Sequence, residues 1–236
     1  MARNFSAHEI CALAGAMLLS LGVSPHIAQA RAPDFAACTP QASIEEGVEL
    51  EREIPLPIPR GLEGIATSDF LRIAVSTLDG GTVCVPTGDM DGINGPVALF
   101  DGRFLGIPWA GYETGGYMLV DRMGKGSAIE IGAPPSFSPF MERIASVEGS
   151  GSGFGSLNGV LVLAIGESGL SELARIEDLP EGHDWKVEGW SDTSCFEISS
   201  LPLEASDEWP PRRLQAVSEG SEGWHLGPVG SHCPAP

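Results

Sequence analysis

The sequence predicts an all-β fold made of repeated antiparallel β-meanders. Three observations lead there. Glycine and proline together make up about a fifth of the chain (31 and 19 of 236 residues), spaced as turns between short segments. The segments between them alternate apolar and polar side chains with period two, the pattern of a half-buried strand. From Pro55 to the C-terminus no segment has a sustained amphipathic helical pattern. Ser168 to Ile176 (SGLSELARI) comes nearest, and it is short enough to be a turn of helix or a strand.

Residues 1–30 stand apart from this pattern. They carry one early Arg3, an apolar run from Ile10 to Val23 and a small-x-small site at Ala28-Gln29-Ala30. That is the layout of a secretory signal peptide, and the apolar run is too short to span a bilayer comfortably. Residues 31–60 form an extended lead-in. Within it Val48 to Ile54 alternates strictly and reads as one strand, and Pro55, Pro57 and Pro59 then forbid helix and central strand alike. Residues 61–236 are long enough for a single all-β domain with its own core.

Internal similarity organises that domain. Asp69 to Val75 aligns with Phe140 to Ser146, sharing Arg-Ile-Ala, and Asp101 to Ile107 lies between them with an Asp-Gly start. Each is followed by glycine and a second apolar strand: Gly81 to Val85, Gly116 to Val120, and Gly159 to Leu163. Fainter copies begin near Asp184 and at Arg213. The unit, roughly 30 to 45 residues, is the size of a four-stranded propeller blade, and four or five units fit. The expected architecture is therefore propeller-like, closed or partial. A β-sandwich of the same strands is the alternative.

The central copy carries the clearest local signal. In Pro134 to Val147 (PPSFSPFMERIASV), the prolines bracket strand ends, Arg143 to Val147 alternates, and the glycine-rich Gly149 to Gly155 forms a turn before Leu157 to Leu163 resumes as strand. Phe137, Ser138, Pro139, Ile144 and Ala145 match the F-S-P-D-G-x-x-I-A signature. The stretch thus resembles the repeats of TolB-type β-propeller proteins, with Phe140 and Met141 in place of the Asp-Gly. The resemblance implies an exported bacterial protein with a periplasmic protein-interaction role.

Charge and cysteines narrow the function further. A net charge of −19 opposes nucleic acid and anionic membrane surfaces, and is compatible with cationic partners or divalent ions. Cys38, Cys84, Cys195 and Cys233 lie beyond the leader, and an oxidising compartment makes two disulfides the expectation. Three pairings are open. Shorter loops favour Cys38–Cys84 with Cys195–Cys233. The absence of CxxC removes a thioredoxin-like redox site and a zinc ribbon from consideration.

Few residues invite chemistry. No G-x-S-x-G elbow is present, since Gly166 to Leu170 departs from it at the last position. Beyond the leader the histidines are His183, His225 and His232, without recognised metal spacing. Asp89, Asp91 and Asn94, set about Gly92, place oxygen ligands as a Ca²⁺ loop does and resemble the calcium loops of some propeller repeats. The same residues also make ordinary turns. Trp109, Tyr112 and Glu113, on a loop between strands, are the candidate partner-binding residues. The expected function is a non-catalytic exported protein that binds a protein or other ligand, such as carbohydrate, with no catalytic residues assigned. The alternative is a secreted hydrolase acting on polysaccharide or peptide.

Overall fold

The computed structural model describes residues 31–38, 55–88, 90, 92–111, 113–150, 153, 155–203 and 210–235. The expected leader and the expected strand at 48–54 lie outside them. The described chain is all-β. It forms four antiparallel sheets, each made from one continuous stretch of sequence.

The first sheet holds β1 (Ala66–Ser68), β2 (Arg72–Ser76) and β3 (Thr82–Pro86). The second holds β4 (Gly92–Ile93) and β5 (Val97–Leu99), both paired with β6 (Phe104–Gly111), followed by β7 (Thr114–Asp121) and β8 (Ser127–Glu130). The third runs β9 (Ser136–Phe137), β10 (Arg143–Glu148), β11 (Gly159–Gly166) and β12 (Gly169–Ile176). The fourth runs β13 (His183–Trp190), β14 (Cys195–Leu201), β15 (Arg213–Gly220) and β16 (Gly223–Leu226). The ambiguous SGLSELARI segment is a strand, because it completes the third sheet as its edge. The stretches at Asp184 and Arg213 fall in one sheet as β13 and β15, so they do not begin separate units.

Alternation along the strands builds the stack. In β10 and β11, Ile144, Leu161 and Leu163 pack against Phe104, Tyr117 and Leu119 of the second sheet. Their neighbours Ala145, Val147, Val160 and Val162 pack against Phe196, Ile198 and Val217 of the fourth. The second sheet is likewise two-sided, turning Leu105, Ile107 and Val120 toward Ile73, Val75 and Val85 of the first. A fully buried Leu, Ile or Phe contributes about 1.5–3 kcal/mol, so these clusters supply the main force holding neighbouring sheets together.

The three similar stretches differ in direction. Arg103, just before β6, donates to the Gly166 carbonyl at 2.7 Å, and Arg143, opening β10, pairs with Glu219 at 3.1 Å. Residue 219 adjoins Ser218, the partner of Cys195 at the start of β14. The second strands β6, β10 and β14 therefore run the same way. β2 runs the opposite way, because its last residue, Ser76, accepts from Arg122, which also donates to the Gly102 carbonyl beside the start of β6. The shared Arg-Ile-Ala of Arg72 and Arg143 thus marks second strands of opposite sense in the stack.

Two turns carry backbone strain. Phe140 and Met141, which replace Asp-Gly, have φ of 62° and 60°, and Phe100 and Asp101 of the matching turn in the second sheet both have φ of 49°. Side chains other than glycine cost about 1–2 kcal/mol each in this left-handed region.

Both disulfides pair as the shorter loops favour: Cys38 with Cys84 and Cys195 with Cys233. They fasten residues 31–38 to β3 and the C-terminal tail to β14. Among the described residues no helix is long and apolar enough to cross a membrane.

Candidate functional site at the Trp109 end of the second and third sheets

β6 and β7 meet in a tight hairpin that projects Glu113 at its tip, with φ of 54°. Tyr112 lies outside the described residues. Two residues before the hairpin, Trp109 is half-buried and faces Gly116 across the ladder. A Cβ on Gly116 would sit 2.9 Å from the indole ring and 2.6 Å from the Ser156 hydroxyl. Glycine at 116 is therefore what lets both groups close over this position.

Ser156 arrives on the loop between β10 and β11. That loop is ordered from within: the Asn158 side chain accepts from Ser150 N–H at 3.0 Å and donates to the carbonyls of Gly153 and Gly155, each at 3.0 Å. Glu148, the last residue of β10, accepts from Leu157 N–H at 2.7 Å and from the Ser156 hydroxyl at 3.3 Å. Gly132 makes room, since a Cβ there would lie 2.7 Å from the Glu148 carboxylate.

Glu130, the last residue of β8, completes the group. Burial pushes its carboxyl up, the Ser156 hydroxyl pulls it partly back, the Glu148 charge raises it again, and the approach of the Trp109 indole N–H lowers it. The indole nitrogen itself is buried and makes no hydrogen bond within normal geometry among the described residues. Neither Glu130 nor Glu148 is in an ion pair among the described residues. Two carboxylates thus share one partly buried place beside an indole, with no counter-charge in an ion pair among the described residues. A separate cleft of about 430 Å³ is lined by Gly149, Asn158, Glu177, Glu181 and Trp185 among others, and none of Trp109, Glu130, Glu148 and Ser156 lines it.

Other residues with catalytic potential are kept apart. Ser218 and His225 are direct cross-strand partners, with Oγ and Nε2 3.2 Å apart, but among the described residues no carboxylate is hydrogen-bonded to His225. The histidine that does meet a carboxylate is His232, 3.0 Å from Glu197. The parts of a triad are therefore split between two places. His183 opens β13 on the surface.

Of the candidate Ca²⁺ ligands, Asp89 and Asp91 lie outside the described residues. Asn94 is exposed, with its backbone N–H on the Pro108 carbonyl at 3.3 Å. Among the described residues no group of three or more His, Cys, Asp or Glu could hold a metal. The other tryptophans in the described chain serve packing: Trp185, Trp190 and Trp224 belong to the cluster between the third and fourth sheets. Trp209 lies outside the described residues.

The sequence singled out Trp109 on a loop between strands; it lies instead within β6, because residues 104–111 pair with β7 along their whole length, and Glu130, Glu148 and Ser156 were not singled out. No spacing marks them, because sheet packing alone brings three separate strand ends together. No protein-family model matches the chain, and no curated protein matches it.

Proposed function

We propose that this is an exported, non-catalytic binding protein built from propeller-like repeated meanders, which takes a cationic group of its partner at Trp109, Glu130 and Glu148. One observation carries the reading: Glu130 is held beside Glu148 and partly desolvated, with no cation of the described chain to compensate. An ammonium or guanidinium placed there would relieve the repulsion between the two carboxylates. The common direction of β6, β10 and β14 supports the repeat architecture, and the two disulfides support export. The exposed Glu113 extends the same negative rim from the hairpin tip.

Titrating the exported protein with a small organic cation, spermidine or an arginine amide, tests this by calorimetry. Saturable binding that fails with the neutral acetylated analogue, and weakens about tenfold or more in Glu148→Gln, is expected. Binding of the neutral analogue with equal affinity, or no binding of either cation, defeats the reading.

The same pair favours a second reading, an exported hydrolase of polysaccharide or peptide, with Glu130 as the acid and Glu148 as the base. Turnover of a glycan or peptide panel that disappears in Glu148→Gln would select it. Cation binding without turnover selects the first.

A further inference from the structure

The opposite end of the stack, where β6 and β10 begin, presents apolar side chains from three successive sheets. Phe140 is 91% exposed, Phe100 48% and Leu78 44%. They lie on connected structure. The Leu78 N–H donates to the Arg122 carbonyl at 2.7 Å, and Arg122 Nη1 donates to the Gly102 carbonyl at 2.6 Å, two residues from Phe100. The Phe100 ring then stacks on Phe137 at 6.5 Å between centroids, three residues before Phe140. Both phenylalanines are held at positive φ, 49° and 62°, where glycine would be unstrained. Strained bulky residues whose side chains point into solvent are a poor solution for a turn alone.

The charge around them is one-sided. Asp79, Asp101, Glu142 and Glu167 are exposed there, and none is in an ion pair among the described residues. The arginines at this end already have partners: Arg103 is paired with Asp121, Arg122 with the Ser76 and Gly102 carbonyls, and Arg143 with the exposed Glu219. Exposed Lys125 is the opposing charge.

We infer that this end is a docking surface for a basic peptide segment of a partner protein, with apolar residues seated on Phe100, Phe140 and Leu78 and lysine or arginine between them facing the carboxylates. It is distinct from the Trp109 end and does not depend on the function proposed for that end. Aromatic anchors inside a charged rim are the arrangement in which a few residues dominate affinity, and the acidic rim selects the sign of the partner.

The probe is a synthetic peptide alternating lysine with leucine, titrated into the exported protein and followed by fluorescence anisotropy. Two analogues serve as controls, one with glutamate for lysine and one with serine for leucine. The expected result is binding of the first peptide only, weakened about tenfold in Phe140→Gly and again in Phe100→Gly. Phe140→Gly should at the same time raise the melting temperature, because it relieves φ strain without removing a buried contact, so lost binding cannot be ascribed to misfolding. Unchanged affinity in both glycine variants overturns the inference, as does equal binding of the glutamate peptide. So does a dimer of the exported protein that dissociates in Phe140→Gly, which would make the occupant a second copy. Loss of peptide binding in Trp109→Ala but not in Phe140→Gly would assign the peptide to the other end and overturn it too.

Discussion

Arg122 reaches across the first two sheets to Ser76, with Nε donating to the Ser76 carbonyl at 2.6 Å. The side chain is almost wholly buried, and its other contacts are the Ser76 hydroxyl and the Gly102 carbonyl. Burial lowers its pKa, yet no carboxylate pairs with it among the described residues, so two backbone carbonyls and the Ser76 hydroxyl are what offset the cost of desolvation.

Arg122→Ala leaves the Ser76 and Gly102 carbonyls unpaired where water has little access. A loss of about 3 kcal/mol is expected, from about 1–3 kcal/mol for each buried orphan group. Arg122→Lys keeps the charge but not the fork of donors and should recover less than half. Urea titration of both variants measures this, and a near-neutral Arg122→Ala would mean the first sheet is held by its apolar cluster alone.

Glu130→Gln should stabilise the protein at pH 7 and leave it unchanged at pH 4. Burial raises the folded-state carboxyl above its unfolded value, so folding takes up a proton between those values. The group's contribution is complete below the ordinary glutamate value of about 4.3 and is lost as pH rises through the raised one. The amide removes the charge and with it the loss, a gain on the order of 1 kcal/mol. Melting curves of the two proteins at both pH values check it, and a cation-binding deficit in the more stable variant would mark Glu130 as kept for function.

Gly116→Ala probes the same place sterically. Its new methyl would press on both the indole of Trp109 and the hydroxyl of Ser156, the latter hydrogen-bonded to Glu148. A cost of about 1–3 kcal/mol is expected, with weaker cation binding. A Trp109→Ala, Gly116→Ala double variant whose stability loss equals that of Trp109→Ala would trace the cost to the ring.

Each disulfide closes a loop, with separations of 46 and 38 residues. Loop-closure entropy puts each at about 4 kcal/mol as an upper figure. Replacing either pair with serine should lower the melting temperature strongly, while replacing both should abolish folding at physiological temperature. Retention of full stability after either replacement would show that the chain ends pack without the bond.

Much of the fold was legible because its cause is local. The alternation in Arg143 to Val147 specifies a strand whichever partners it finds, and the Gly-Pro spacing sets where strands stop. The cysteine pairing followed loop length because each sheet is sequence-continuous, so a flanking segment reaches first the sheet nearest to it in the chain: Cys38 meets β3 and Cys233 meets β14. The orientation of β2 was not legible. Arg72-Ile73-Ala74 and Arg143-Ile144-Ala145 have the same intrinsic preference, and it is contacts made across sheets, such as the bonds of Arg122, that settle which way the first sheet faces. The meeting of Glu130 with Glu148 was hidden for a similar reason: in a chain with 32 acidic residues, two that converge through packing look like all the others.

The third sheet feeds two cores from alternate residues of the same strands, Leu161 and Leu163 on one side, Val160 and Val162 on the other. Sliding β11 by one position would force leucines into the valine-sized layer and open voids in the leucine-sized layer at once. Neither flanking sheet can therefore melt while its neighbour stays intact, because the strand between them belongs to both. Scanning calorimetry should give one endotherm whose van't Hoff and calorimetric enthalpies agree, the thermal behaviour of a single cooperative body despite its sheet-by-sheet construction.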